Sequence, residues 1–106
     1  MSLQRTLEKI INYAAYVAGP EKIILFGSMA TGKQNVYSDV DLLIITAGAI
    51  GKKEVAESIK NYADQCSLKT DVLIYSRSEV ERELNMSNSF IGAVYKHGKI
   101  VYKKSD

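Results

Sequence analysis

Two short apolar runs constrain the fold of this chain more than any other feature. Ile23-Ile24-Leu25-Phe26 and the β-branched stretch Val40 to Thr46 are too short for a buried helix. They are also too continuous for strands with one wet face. Both read as central strands buried on both sides, which requires helices on both faces of the sheet. Gly19-Pro20 and Gly27 bracket the first run, and Gly48 to Gly51 ends the second. A third strand spans Thr70 to Tyr75, and Lys99 to Tyr102 supplies a short final one.

The helices come from apolar spacing. Leu3, Leu7, Ile10, Ile11, Ala14 and Val17 recur at intervals of three and four, as do Val55, Ile59, Tyr62, Ala63 and Cys66. Ser78-Glu79-Val80-Glu81 matches a capping box and predicts a short helix from that point. Ser89 to His97 predicts another, with Gly98 as its left-handed stop. The resulting fold class is α/β (α+β), a single small mixed sheet flanked by helices. A chain of 106 residues leaves no room for a second domain, so one domain over 1–106 is expected. The helix Val55–Cys66 reads as a crossover that would make its flanking strands parallel, although hairpin-like returns leave the pairing open.

Composition removes several classes of function. Lysine and arginine number 14 and acidic residues 12, a net charge of +2, which is too small to predict nucleic-acid binding from bulk electrostatics. No concentrated aromatic-basic strand motif is present, and the lysines near the end, Lys96, Lys99, Lys103 and Lys104, read as a solvated basic tail. No apolar run approaches the roughly 20 residues needed to span a bilayer, so no membrane role is expected. Cys66 is the only cysteine, which excludes an intrachain disulfide. With no visible signal peptide, a reducing cytoplasmic location is expected.

The chemistry concentrates between the first two strands. Gly27 to Lys33 is a Gly-rich turn leaving a strand, a place where backbone N–H groups can face phosphate oxygens. Gly27, Gly32 and Lys33 have the spacing of a P-loop. However, Gln34 stands where that motif needs a magnesium-ligating hydroxyl, and a loop follows where it needs a helix. The P-loop reading fails on both counts.

Asp39-Val40-Asp41 lies further on, at the start of the second strand. Carboxylates at i and i+2 project from one face, with Val40 and Leu42 on the other. Two adjacent carboxylates repel, and a divalent cation removes the conflict. Asp71 opens the third strand and can reach this pair if the strands are neighbours. Aspartate is depleted from strands, so three such placements form a pattern. Taken singly, Gly27 is a strand-end glycine and Ser38-Asp39 a turn. The pattern rests on their joint occurrence.

At these residues the chain resembles the nucleotidyltransferase superfamily built on the DNA polymerase β palm. The resemblance lies in Leu25-Phe26-Gly27-Ser28, the spacer Met29–Ser38, then Asp39-Val40-Asp41-Leu42-Leu43, with Ala30, Gly32 and Ser38 meeting its extended form. Within that superfamily the short chain is similar to the minimal nucleotidyltransferases, the MNT group. The resemblance implies a palm-like fold, with Gly27, Ser28 and Ser38 binding the nucleotide. It implies Asp39, Asp41 and Asp71 as catalytic and metal-binding residues, one or two Mg2+ ions, and ATP as the nucleotide substrate. It further implies a small helical HEPN partner, a ribonuclease toxin whose tyrosine accepts AMP, which would make this chain the antitoxin. Many relatives carry arginine where this chain has Met29 or Thr31, leaving Lys33 or a partner to supply a cation. Larger relatives also add a helical domain that is not expected within these 106 residues. The competing expectation is an inactive palm module that neutralises a partner by binding alone.

Overall fold

The computed structural model describes residues 2–27 and 40–105. Four strands form one sheet in the order β3-β2-β1-β4. They are β1 (Lys22–Phe26), β2 (Val40–Thr46), β3 (Thr70–Ser76) and β4 (Lys99–Lys103). β1 runs antiparallel to both β2 and β4, and β2 pairs with β3 in parallel, so the sheet is mixed. The parallel pair follows from the crossover helix α2 (Lys52–Gln65), as its position between the two strands predicts.

Strand alternation divides the core into two. Ile23, Leu25, Val40, Leu42 and Ile44 face α1 (Leu3–Ala18) and α2. Ile24, Leu43 and Ile45 face α3 (Arg77–Leu84) and α4 (Phe90–His97). Leu42, Leu43 and Ile44 are fully buried, so β2 is covered on both sides and its apolar run is continuous for that reason. Each such side chain contributes about 1.5–3 kcal/mol of burial free energy. α1 is capped by Ser2, whose hydroxyl accepts from the Arg5 N–H, and ends at a left-handed Gly19 before Pro20. It buries Leu7, Ile10, Ile11, Ala14 and Ala18. Leu3, placed on the same stripe by its spacing, stays exposed in the first turn. Across the helix layer Tyr13 stacks on Tyr62 at 4.3 Å, and the Tyr13 hydroxyl bonds Ser58 at 2.6 Å.

Two local expectations change. The capping box of α3 is set two residues early, at Ser76 rather than Ser78. Ser76-Arg77-Ser78-Glu79 also fits the motif, and β3 ends at Ser76, so the chain turns into the helix there. The Glu79 N–H donates to the Ser76 hydroxyl, and the Ser76 N–H donates to the Glu79 carboxylate. Gly98 is extended, with φ −82° and ψ 171°, not left-handed. Glycine is needed there because a Cβ would press on the Val94 carbonyl and the Ile24 side chain, where α4 passes into β4.

The α3 cap also makes the fold acid-sensitive. Lys52 beside Glu79, then the Ser76 N–H, hold that carboxyl at about 2, against an ordinary value of 4.5. A depressed carboxyl stabilises the fold above its unfolded value and loses that contribution as pH falls through its folded value. Thermal unfolding of wild type is therefore expected to soften more steeply than that of Glu79→Gln between pH 4.5 and about 2. Ser76→Ala is expected to cost about 1 kcal/mol in urea unfolding.

Candidate functional site

The candidate site lies where β1 ends and β2 and β3 begin. Phe26 pairs with Asp41 across the antiparallel ladder, and Asp41 pairs with Asp71 across the parallel one. In-register residues of neighbouring strands project from the same face, with strands about 4.8 Å apart. Phe26, Asp41 and Asp71 thus form one row across the sheet, on the face covered further along by α3 and α4. Val40 and Leu42 point into the opposite core, as the alternation predicts. Asp41 is half-buried and Asp71 exposed, so the row opens to solvent at its Asp71 end.

Gly27 closes the row from β1. Its φ of +78° is a left-handed conformation that favours glycine. A Cβ at this position would collide with the Asp41 Oδ2 atom. The backbone of the turn and the Asp41 carboxylate thus approach each other as closely as only a glycine allows. Phe90, at the N-terminal end of α4, packs edge-on against Phe26 with ring centroids 5.6 Å apart and planes at 81°.

Of the residues singled out in the sequence, the structure brings together Gly27, Asp41 and Asp71. Ser28, Ser38 and Asp39 lie outside the described residues, as does Lys33. Among the described residues no group of three His, Cys, Asp or Glu side chains could hold a metal ion. Two carboxylates side by side in register, next to a glycine that leaves Asp41 its space, are a donor set of hard oxygens that fits magnesium. No spacing along the chain signals the Phe26–Phe90 contact beside the carboxylates, which arises only from the packing of α4 on β1. His97 sits in the last turn of α4, where the helix dipole favours a basic side chain. No helix among the described residues is long and apolar enough to cross a membrane.

Comparison with known proteins gives concordant results. The family model for the polymerase β nucleotidyltransferase domain matches residues 8–106. A candidate protein adenylyltransferase of Methanocaldococcus jannaschii is 38% identical over 78 residues, which is 74% of this chain and 75% of that protein. Among crystal structures, a candidate nucleotidyltransferase from Sulfolobus solfataricus superposes with a TM-score of 0.54 at 20% identity, covering 94% of this chain and 79% of that one. A chain of a toxin–antitoxin structure with AMP-PNP superposes at 0.61 and 22% identity, covering 92% and 74%.

Proposed function

This chain belongs to the polymerase β nucleotidyltransferase family, and we propose that it transfers AMP from ATP to a hydroxyl of a protein partner. The observation that carries the reading is the Gly27–Asp41–Asp71 cluster, with two in-register carboxylates and a left-handed glycine against one of them. The M. jannaschii relative's description as a protein adenylyltransferase supports adenylate as the group moved. The toxin–antitoxin neighbour supports a paired protein as the target. A tyrosine of a helical HEPN ribonuclease is the acceptor that the family resemblance favours.

In this reading the hydroxyl oxygen attacks the α-phosphorus of ATP and pyrophosphate leaves. Positioning and charge neutralisation supply most of the rate, as in other phosphoryl chemistry. Asp41 and Asp71, together with Asp39, are the residues that would hold magnesium, which when bound neutralises charge on the triphosphate. Gly27 and Ser28 would offer backbone N–H groups and a hydroxyl to the phosphate tail, and Ser38 would be a further nucleotide-binding residue. Asp71, the more exposed carboxylate, would complete the metal site or take the proton of the incoming hydroxyl. All of these residues lie within one domain spanning 1–106.

A thermal shift with ATP tests the binding half of this reading. A magnesium-dependent rise in midpoint is expected for wild type and for Asp71→Asn, and its loss is expected in Asp41→Asn. An equal rise in Asp41→Asn would remove Asp41 from the site. For Asp71→Asn, turnover is expected to fall more than ATP affinity. Unchanged turnover in that variant would place the third carboxylate elsewhere.

A further inference from the structure

At the opposite end of the sheet from Asp41 a concavity of about 350 Å3 opens between the strand ends and helices α3 and α4. Ile45, Val80, Leu84 and Tyr95 contribute its apolar surface. Ile45 and Val80 are buried beneath it, whereas Leu84 and Tyr95 are 43% and 37% exposed. Four cations, Lys22, Arg77, Lys103 and Lys104, line it against two carboxylates, Glu21 and Glu81. Arg77 is committed to Glu21 through a two-point ion pair, its Nε donating to Oε1 at 2.9 Å. Among the described residues, Lys22, Lys103 and Lys104 have no carboxylate within salt-bridge distance.

The strand register adds an independent observation. Lys22 and Lys103 stand directly opposite each other across the β1–β4 ladder, and both line the concavity. Like charges at directly opposed positions destabilise a strand pair. A local conflict of this kind, in an otherwise consistent fold, marks a functional site more often than an accident. The Lys22 ammonium lies 5.3 Å from the centre of the Tyr95 ring, which keeps its charge at the mouth of the cleft.

We propose that this basic, apolar-floored cleft is an anchoring groove for a protein partner, taking a segment in which acidic residues flank one or two large apolar side chains. The carboxylates settle the Lys22–Lys103 conflict, and the apolar side chains cover Leu84 and Tyr95. A nucleic-acid backbone would satisfy the lysines but leave the aliphatic floor without a counterpart, so the protein segment is the better match. The groove lies four strand positions from Asp41 along β2, roughly 13 Å at the usual rise per residue. A partner held there leaves the carboxylate row open. The proposal goes beyond the transfer reaction and stands on the cleft alone.

The test uses a fluorescein-labelled peptide of one leucine and one phenylalanine flanked by glutamates, with the full chain. Saturable binding is expected, with amide shifts in NMR spectra at Lys22, Leu84, Tyr95 and Lys103. Lys103→Glu/Lys104→Glu is expected to weaken binding about tenfold or more while leaving the ATP-dependent thermal shift unchanged. Leu84→Ser, at an exposed position, is expected to weaken it severalfold. Separately, Lys103→Gln is expected to raise the thermal midpoint at low salt, a gain that high salt erases. Three results would overturn the proposal: no binding by wild type, equal binding by the charge-reversed chain, or tighter binding of oligouridylate RNA at the same residues. A failed ATP shift with intact peptide binding would count against the transfer reading alone.

Discussion

Gly27→Ala is expected to leave a folded protein that has lost about a hundredfold or more of its transfer activity. Two effects coincide at this position. The alanine would have to hold φ near +78°, a left-handed conformation that costs a non-glycine residue about 1–2 kcal/mol. Its Cβ would also occupy space now taken by the Asp41 carboxylate. The two relax together only if the turn and the carboxylate move apart. Misplacing reacting groups by about 1 Å costs on the order of 10²-fold in rate. The measurements are urea unfolding and turnover on the same preparation. A modest loss of stability with a large loss of turnover is the expected pair. Unimpaired turnover would mean that the close approach of Gly27 to Asp41 has no part in the reaction.

Asp41→Asn is expected to have the largest effect on chemistry and a small effect on folding. Asparagine keeps the shape of aspartate, and the Asp41 backbone keeps its place in the β1–β2–β3 ladder. Stability should change by no more than about 1 kcal/mol, as for most substitutions outside a packed core. Transfer should fall by about a thousandfold or more, because the variant loses a carboxylate that would hold the magnesium needed to neutralise charge on the triphosphate. ATP labelled at the α-phosphate separates the reaction classes. With wild type and its protein partner, label should pass to the partner from α-labelled ATP and not from γ-labelled ATP. With Asp41→Asn neither should pass. Label arriving from the γ position would make the enzyme a kinase.

The strands were legible because the physics that buries them writes itself locally. Val40 to Thr46 is apolar without interruption because both faces of β2 are covered, and that continuity needs no tertiary information to be seen. The carboxylate pattern was equally readable, since Asp41 and Asp71 each open an apolar strand and a glycine ends the strand before them. Their register was not readable. It depends on α2 crossing over to bring β3 beside β2 in parallel, whereas a hairpin return would have separated the two carboxylates. The α3 cap shows another kind of limit. Two overlapping Ser-x-x-Glu/Gln-type boxes compete, and the end of β3 decides between Ser76 and Ser78. Gly98 could be read as a stop, but its reason is the Ile24 side chain on another strand.

The basic cleft was hidden for the same reason. Lys103 and Lys104 read as a solvated tail along the chain. Only the β1–β4 pairing, with its irregularity between Ile23 and Ile24, sets Lys103 against Lys22. Tyr95 and Leu84 come from two further helices, and Arg77 from the start of one of them. A surface assembled from five elements carries no spacing that a linear reading can find.

Nucleotide and metal are expected to meet at the row formed by Gly27, Asp41 and Asp71. Paramagnetic broadening by Mn2+ in the presence of ATP tests it most directly, read from amide resonances of the full chain. Gly27, Asp41 and Asp71 should broaden at the lowest Mn2+ concentrations, before Ile45 and Tyr75 at the far end of the same strands, and Asp41→Asn should abolish that order. Broadening that begins at the far end, or that is unchanged by Asp41→Asn, would contradict the account.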